Sequence, residues 1–376
     1  MSATVDMRNI LLPNSSNPTY ASNYPNGDRP AGGTGYHTII GSGFGSKNTG
    51  IPYFDNFETR TLGAANGSTL GSATQMAISN PDYVSIVNSG SHSGTRVVKM
   101  DYQAASAAAG GNPSSSLMFP KIYHELGTRS QYGYAAFWIK WTGSASSNSN
   151  VWKMSRFTND SSDPYSGTNS VVFSYTSQAG ASAPSDYSGQ SQGDVAPFQY
   201  WGTTPSSINP STQSPLYNPA TLFTKDSWHL YEVEFDVGTL NTANAIVEER
   251  WDKTLTVRHG NGSNSMTYKT TAHPNDVYSI MSPLCGLDDY SNIIMYMDEA
   301  YFDGSRCRVV MTDSATYSSW TKWAIQPIAT YSNTNITAVK NKGMFTTGDT
   351  AYLHVFNSSG SLVYSSSSIT VTEDNV

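Results

Sequence analysis

Tyr296-Met-Asp-Glu-Ala-Tyr-Phe-Asp303 decides how the rest of the chain is read. Side chains alternate across a strand, so this stretch predicts one face with Tyr296, Asp298, Ala300 and Phe302 and another with Met297, Glu299, Tyr301 and Asp303. Both faces then carry acids. A stretch of the same character, Tyr53-Phe-Asp-Asn-Phe-Glu58, lies far upstream. The two are expected to be the first and last strands of one large β-sandwich and to lie close together.

Between them, short runs of β-branched and aromatic residues follow one another with turn signals in between. The expected strands are Arg96–Tyr102, Ser116–Tyr123, Tyr132–Trp141, Val151–Phe157, Ser170–Thr176, Pro197–Trp201, Trp228–Val237, Ala245–Trp251, Thr254–Arg258, Val277–Met281 and Ile293–Phe302. Leu230 and Glu232 fall on one face of their strand, with Tyr231, Val233 and Phe235 on the other. No segment holds a helical period, which argues against a long helix. The stretches 104–114, 142–150, 159–168, 177–196 and 202–222 are long and rich in Ser, Gly, Asn and Pro. Loops of that length in a compact domain bind something or brace a partner.

Only 13% of the 376 residues are charged, against about 25% in an average protein. Hydroxyls, amides and phenols take their place, a surface suited to an extracellular or virion protein and to sugar contact. The net charge is −7 and no basic run is long, which leaves a nucleic-acid backbone nothing to bind. No apolar run approaches the ~20 residues of a membrane span. Ile10-Leu11-Leu12 is too short for the apolar core of a signal peptide, so the expected routes are a removed leader or release by lysis. Cys285 and Cys307 form neither a disulfide framework nor a metal knuckle; two buried thiols are expected, with a single bridge as the alternative.

Residues 1–35 carry Pro13, Pro18, Pro25 and Pro30 among Asn, Ser and Gly and are read as an extended arm. Tyr36-His-Thr-Ile-Ile-Gly-Ser-Gly-Phe-Gly45 is a strand entering a glycine turn. No helix pattern and no Lys-Ser/Thr pair follow it, which excludes a phosphate loop. After Asp303, five short strands are expected: Arg306–Met311, Trp323–Ile328, Asn335–Lys340, Thr350–Asn357 and Leu362–Val371.

Two resemblances organise these elements. Phe54-Asp-Asn-Phe-Glu58, Tyr134-Ala-Ala-Phe-Trp-Ile-Lys-Trp141, Val151-Trp-Lys-Met-Ser-Arg156, Asp226-Ser-Trp-His-Leu-Tyr-Glu-Val-Glu-Phe-Asp236 and the closing acidic strand resemble the concanavalin A-like lectin/glucanase jelly roll. Thr38–Gly45, with Asn335-Ile-Thr-Ala-Val339 and Gly348–Asn357, resembles an immunoglobulin-like IPT/TIG domain. Together they imply an all-β chain in three parts. A 1–35 arm precedes a discontinuous immunoglobulin-like sandwich, 36–54 with 305–376, which is interrupted by a jelly roll over 55–304.

The jelly-roll resemblance implies several chemistries. A structural Ca²⁺ bridges the first and last strands in related carbohydrate-binding members. Here Asp55, Glu58 and Asp298, with Asn56, Glu299 and Asp303 beside them, offer the oxygens that calcium requires. Sugar-acid lyases of this fold use Tyr or His as base and neutralise the carboxylate with Arg, Gln or Asn. His124, Arg129, Lys153, Arg156, His229, Tyr231 and Arg258 are the raw materials, but the compact lyase motifs are absent. Glu232, Glu234 and Asp236 share one strand face as a hydrolase would need, although the resemblance aligns them with ordinary exposed acids. Tyr165, Tyr200, Trp201 and Tyr217 lie in or beside polar loops and are the candidates for stacking on sugar rings.

The expectation that follows is a non-enzymatic protein of a virion surface, a head decoration or fibre. Its partners would be capsid or tail proteins, further copies of itself and cell-surface glycans. The alternative is a secreted polysaccharide lyase or carbohydrate-binding protein of the same fold.

Overall fold

The computed structural model describes residues 36–47, 52–58, 62–64, 77–79, 81–110, 121–143, 151–158, 169–176, 199–202, 224–259, 267–271, 274–282 and 293–371. These residues are almost entirely β. Two large antiparallel sheets make one sandwich. The nine-stranded sheet runs in the order Thr254–His259, Ile246–Trp251, His229–Asp236, Tyr132–Gly143, Ile293–Asp303, Val97–Asp101, Val84–Val87 and Gly63–Ala64, with Tyr53–Asp55 paired to Ile293–Asp303. The six-stranded sheet runs Gln199–Gly202, Asn169–Thr176, Val151–Thr158, Val277–Ser282, Lys121–Ser130 and Ala77–Ser79.

The two acidic stretches are neighbours, with Asp55 opposite Ala300 and Tyr53 opposite Phe302. The alternation expected for Tyr296–Asp303 does not run through, however. Against Tyr132–Gly143 the register passes from Asp298↔Trp138 to Tyr301↔Ala136, so one extra residue is accommodated. Glu299 takes it up with a φ of 50°, in the left-handed region. The bulge reverses the phase. Met295 and Met297 before it and Ala300 and Phe302 after it all enter the same core, and Tyr301 joins the opposite face.

The core between the two large sheets follows from simple alternation elsewhere. Ala135, Phe137, Ile139 and Trp141 meet Tyr231, Val233, Phe235 and Val237 on the nine-stranded side. Phe157, Ile280, Ile122 and Leu126 fill it from the six-stranded side. Gly133 sits opposite Phe235, where a Cβ would lie 2.3 Å from the ring. One short helix, Tyr102–Ala108, was not foreseen. Its Ala-rich run is capped by Asp101, whose Oδ1 accepts from Ala104 N at 2.9 Å.

The C-terminal residues build a smaller pair of sheets. Tyr36–Ile40, Asn335–Val339 and Ile328–Tyr331 form one, and the first of these pairs in the register Ile39↔Ile336 across most of the chain. Trp323–Gln326, Arg308–Thr312, Thr350–Phe356 and Leu362–Ser365 form the other, with Ile369–Thr370 paired to Thr350–Phe356. Ile39, Phe44, Val309, Met311, Ile336, Leu353 and Val355 pack between them. Cys307 is a buried free thiol there; Cys285 lies outside the described residues.

The five-stranded sheet has a second buried face. Val310, Trp320, Trp323, Ile325 and Phe356 pack on Phe54, Tyr134, Ala136, Trp138, Leu230 and Tyr301 of the nine-stranded sheet. The nine-stranded sheet is therefore covered on both sides. Among the described residues, no buried hydrophobic cluster covers the outer face of the six-stranded sheet.

Candidate functional site

The acids nominated for calcium each hold part of the chain. Glu58 accepts from Thr95 N at 2.7 Å, Thr95 Oγ1 at 2.8 Å and Arg96 N at 2.7 Å. Asp298 Oδ2 accepts from His92 N and Ser93 N, and its Oδ1 from Glu299 N. Two carboxylates from distant parts of the chain thus clamp one turn, residues 92–96. Asp55 accepts from Phe57 N and from the Tyr53 hydroxyl. Backbone N–H groups already face these oxygens, and among the described residues no three His, Cys, Asp or Glu gather as metal ligands. Asp55, Glu58 and Asp298 each face backbone N–H donors in this arrangement. Burial, then the neighbouring Glu299, raises the Asp298 carboxyl well above its ordinary range.

Next to this clamp the His92 ring stacks on Trp138, with centroids 3.6 Å apart, and meets the edge of Trp228. Its Nδ1 lies 3.8 Å from Glu299 Oε2. His92 belongs to no sequence motif, and its neighbours Trp138 and Glu299 come from distant strands.

Most of the nominated bases are structural. His124 is buried against Tyr53 and Phe302. Tyr231 shares a 2.7 Å hydrogen bond with Ser155 inside the core, and burial pushes its hydroxyl pKa far up. His229 Nδ1 lies 2.6 Å from Asp252 Oδ2, and Asp252 Oδ1 accepts from Leu230 N. These residues fasten strands together.

Two of the three acids on one strand face are not exposed as expected, and the third, Asp236, is half-buried. Glu232 and Glu234 lie beneath the five-stranded sheet, each 1% exposed. Tyr134 donates its hydroxyl to Glu232 Oε1 at 2.6 Å. Glu234 faces Arg250, Arg306 and Arg308 at 3.1, 3.5 and 2.9 Å. Burial opposes its ionisation, but Arg308, Arg250 and Arg306 outweigh that and hold its carboxyl below the ordinary range. A carboxylate held by three guanidiniums is a poor nucleophile and a poor general acid.

The six-stranded sheet is arranged differently. Tyr200, Val171, Phe157, Ile280 and His124 pair in register across it, and the buried members mark this as the core row. The adjacent row is Gln199, Val172, Arg156, Met281, Tyr123 and Ala77. By strand alternation that row belongs to the face away from the core, as does the row of Trp201 and Ser170. Of the residues nominated for sugar stacking, Trp201 thus shares a face with Arg156, whereas Tyr200 falls in the core row. Tyr165 and Tyr217 lie outside the described residues. Tyr123 and Gln199 went unnoticed in the sequence, because only the cross-strand register aligns them with Arg156.

No protein-family model matches the chain, and no curated protein matches it. Solved structures do. The marine alginate lyase from Aplysia kurodai is similar at 9% identity over 60% of this chain and 89% of its own, with a TM-score of 0.38. Alginate lyase Aly36B is similar at 11% identity over 68% of this chain and 97% of its own, with a TM-score of 0.42. The endo-β-1,4-glucuronan lyase from the fungus Trichoderma reesei is similar at 10% identity over 65% and 95%, with a TM-score of 0.35. Likeness at these values carries no functional argument. No helix among the described residues is long and apolar enough to cross a membrane.

Proposed function

We propose that the chain is a carbohydrate-binding β-sandwich whose ligand face is the outer face of the six-stranded sheet. The observation that carries this is the coverage of the sheets. The nine-stranded sheet carries hydrophobic clusters on both sides; among the described residues the six-stranded sheet carries one on its inner side, while Thr158 and Ser279, in the outer row of Trp201 and Ser170, are also buried. On the other side the register aligns Gln199, Arg156 and Tyr123 in one row, next to that of Trp201. An amide, a guanidinium, a phenol and an indole are the groups that hydrogen-bond and stack on sugar rings, and the guanidinium suits a uronate carboxylate.

A binding assay against uronate polymers and neutral glucans tests the reading. Arg156→Ala and Trp201→Ala are expected to weaken binding, and Tyr200→Phe to leave it intact. Unsaturated products absorbing in the near ultraviolet would make the same face that of a lyase. Failure to bind any glycan would end the proposal. The fold serves this reading equally on a virion surface, beside capsid or tail proteins, and in a secreted protein. Capsid and tail genes or sugar-utilisation genes next to this one distinguish the two settings.

A further inference from the structure

A cleft of about 530 Å³ opens at the seam between the large sandwich and the small one. Tyr132, Asp236 and Glu248 line it from one side, and Arg306, Ser358 and Ser359 from the other. The size falls in the range of about 300–1,000 Å³ typical of small-molecule sites. We infer that this cleft binds a neutral sugar of about monosaccharide size, at a place separate from the six-stranded face.

Arg306 is the first reason. It is 7% exposed, and its Nε–H is buried with no hydrogen-bond partner. Its Nη2 lies 3.5 Å from Glu234 Oε1. The guanidinium lines the cleft, and the N–H groups that reach it are donors for a ligand oxygen.

The carboxylates are the second. Asp236 Oδ1 accepts from Gln131 Nε2 and Gly238 N, both at 2.9 Å. Oδ2 has no partner among the described residues, and so it remains as an acceptor for a ligand hydroxyl. Glu248 is paired with Arg250 and adds a second negative charge. An anion entering here meets Asp236 and Glu248, and a cation meets Arg306. A neutral polyol avoids both conflicts, because each hydroxyl accepts from the guanidinium or donates to a carboxylate.

The third is shape. Tyr132 is half-buried and offers a ring to the apolar face of a sugar. Burial, then Asp236, raises its phenol pKa, so its hydroxyl stays a donor. Across the cleft, Ser358 and Ser359 are carried on an exposed turn that ends at Gly360, with φ of 74°. A Cβ at Gly360 would stand 2.6 Å from Arg306 Nη2. Glycine is what lets the turn pass this close to the guanidinium.

The test is titration of the full chain with glucose, galactose, mannose and N-acetylglucosamine, with inorganic phosphate as the charged control, followed by NMR or calorimetry. At least one sugar is expected to saturate the protein with a millimolar dissociation constant. Ser358→Phe, on the exposed turn, should fill the cleft and abolish that binding. Asp236→Asn keeps the Oδ1 acceptor, replaces the Oδ2 acceptor and should weaken binding about tenfold, the worth of one charge-assisted hydrogen bond. Near-ultraviolet circular dichroism checks that each variant is folded. Absence of saturable binding by all four sugars, binding that survives both Ser358→Phe and Asp236→Asn, or phosphate displacing the sugar would overturn the inference.

Discussion

Arg308 donates from Nη1 to Glu234 Oε2 at 2.9 Å, joining the five-stranded sheet to the nine-stranded one. Its guanidinium lies 4.4 Å from the Tyr134 ring centroid and 3.9 Å from that of Phe356. Both partners of the pair are almost fully buried. Breaking such a pair from one side strands a charge in the interior, which typically costs about 3–5 kcal/mol. Arg308→Met is therefore expected to be the milder substitution and Glu234→Ala, which leaves Arg306 and Arg308 without their carboxylate, the more severe. Urea unfolding of the two variants measures the difference, and equal stability to the parent would contradict it.

The same pair sets a pH dependence. The folded-state pKa of Glu234 is depressed, so its contribution is present above the unfolded value, about 4.3. That contribution is lost as pH falls from there toward the folded pKa. Thermal unfolding from pH 7 to pH 3 should show a falling midpoint below about pH 4.5 that is flatter in Glu234→Gln. An equal acid-induced decline in that variant would assign the effect to other carboxylates.

Glu58 and Asp298 predict a clamp rather than a cation site. Glu58→Ala removes the acceptor for two backbone N–H groups and the Thr95 hydroxyl, and should destabilise by about 1–3 kcal/mol. Millimolar calcium or a chelator should leave the melting temperature of the parent protein unchanged. A calcium-dependent rise that Glu58→Ala abolishes would return these acids to metal binding.

Gly133→Ala tests the packing of the main core. The new methyl would meet Phe235 at 2.3 Å, and Phe235 stacks on Phe157 at 4.5 Å. Overpacking of this kind costs about 1–3 kcal/mol. A variant as stable as the parent would mean that the two rings shift freely.

The all-β class and the adjacency of the two acidic strands were legible because alternation and turn residues act locally. Leu230–Val237 alternates as its sequence suggests. The helix at Tyr102–Ala108 was missed because seven residues are too few to display a helical period. The phase of Ile293–Asp303 was lost at Glu299, since a bulge is invisible until the partner strand is known. The acids misled for a related reason. Glu232 and Glu234 look like solvent-facing residues, and only the arrival of Arg306 and Arg308 from a later part of the chain makes them interior. Likewise, the row of Arg156, Met281 and Tyr123 is a property of register between distant strands, which no single stretch contains.

The pairing of Tyr36–Ile40 with Asn335–Val339 places a constraint on time as well as on space. A ribosome delivers the first of these strands long before the second, and the intervening sandwich can close while the early strand still waits for its partner. Until then Ile39 on the early strand also stands without the residues it packs against, Ile336 among them. Long-range pairing of this kind is slow and leaves strand edges open to association. Nascent chains halted before residue 335 are thus the state of this protein most in need of a chaperone, and the last strands to emerge act as the latch that ends that need.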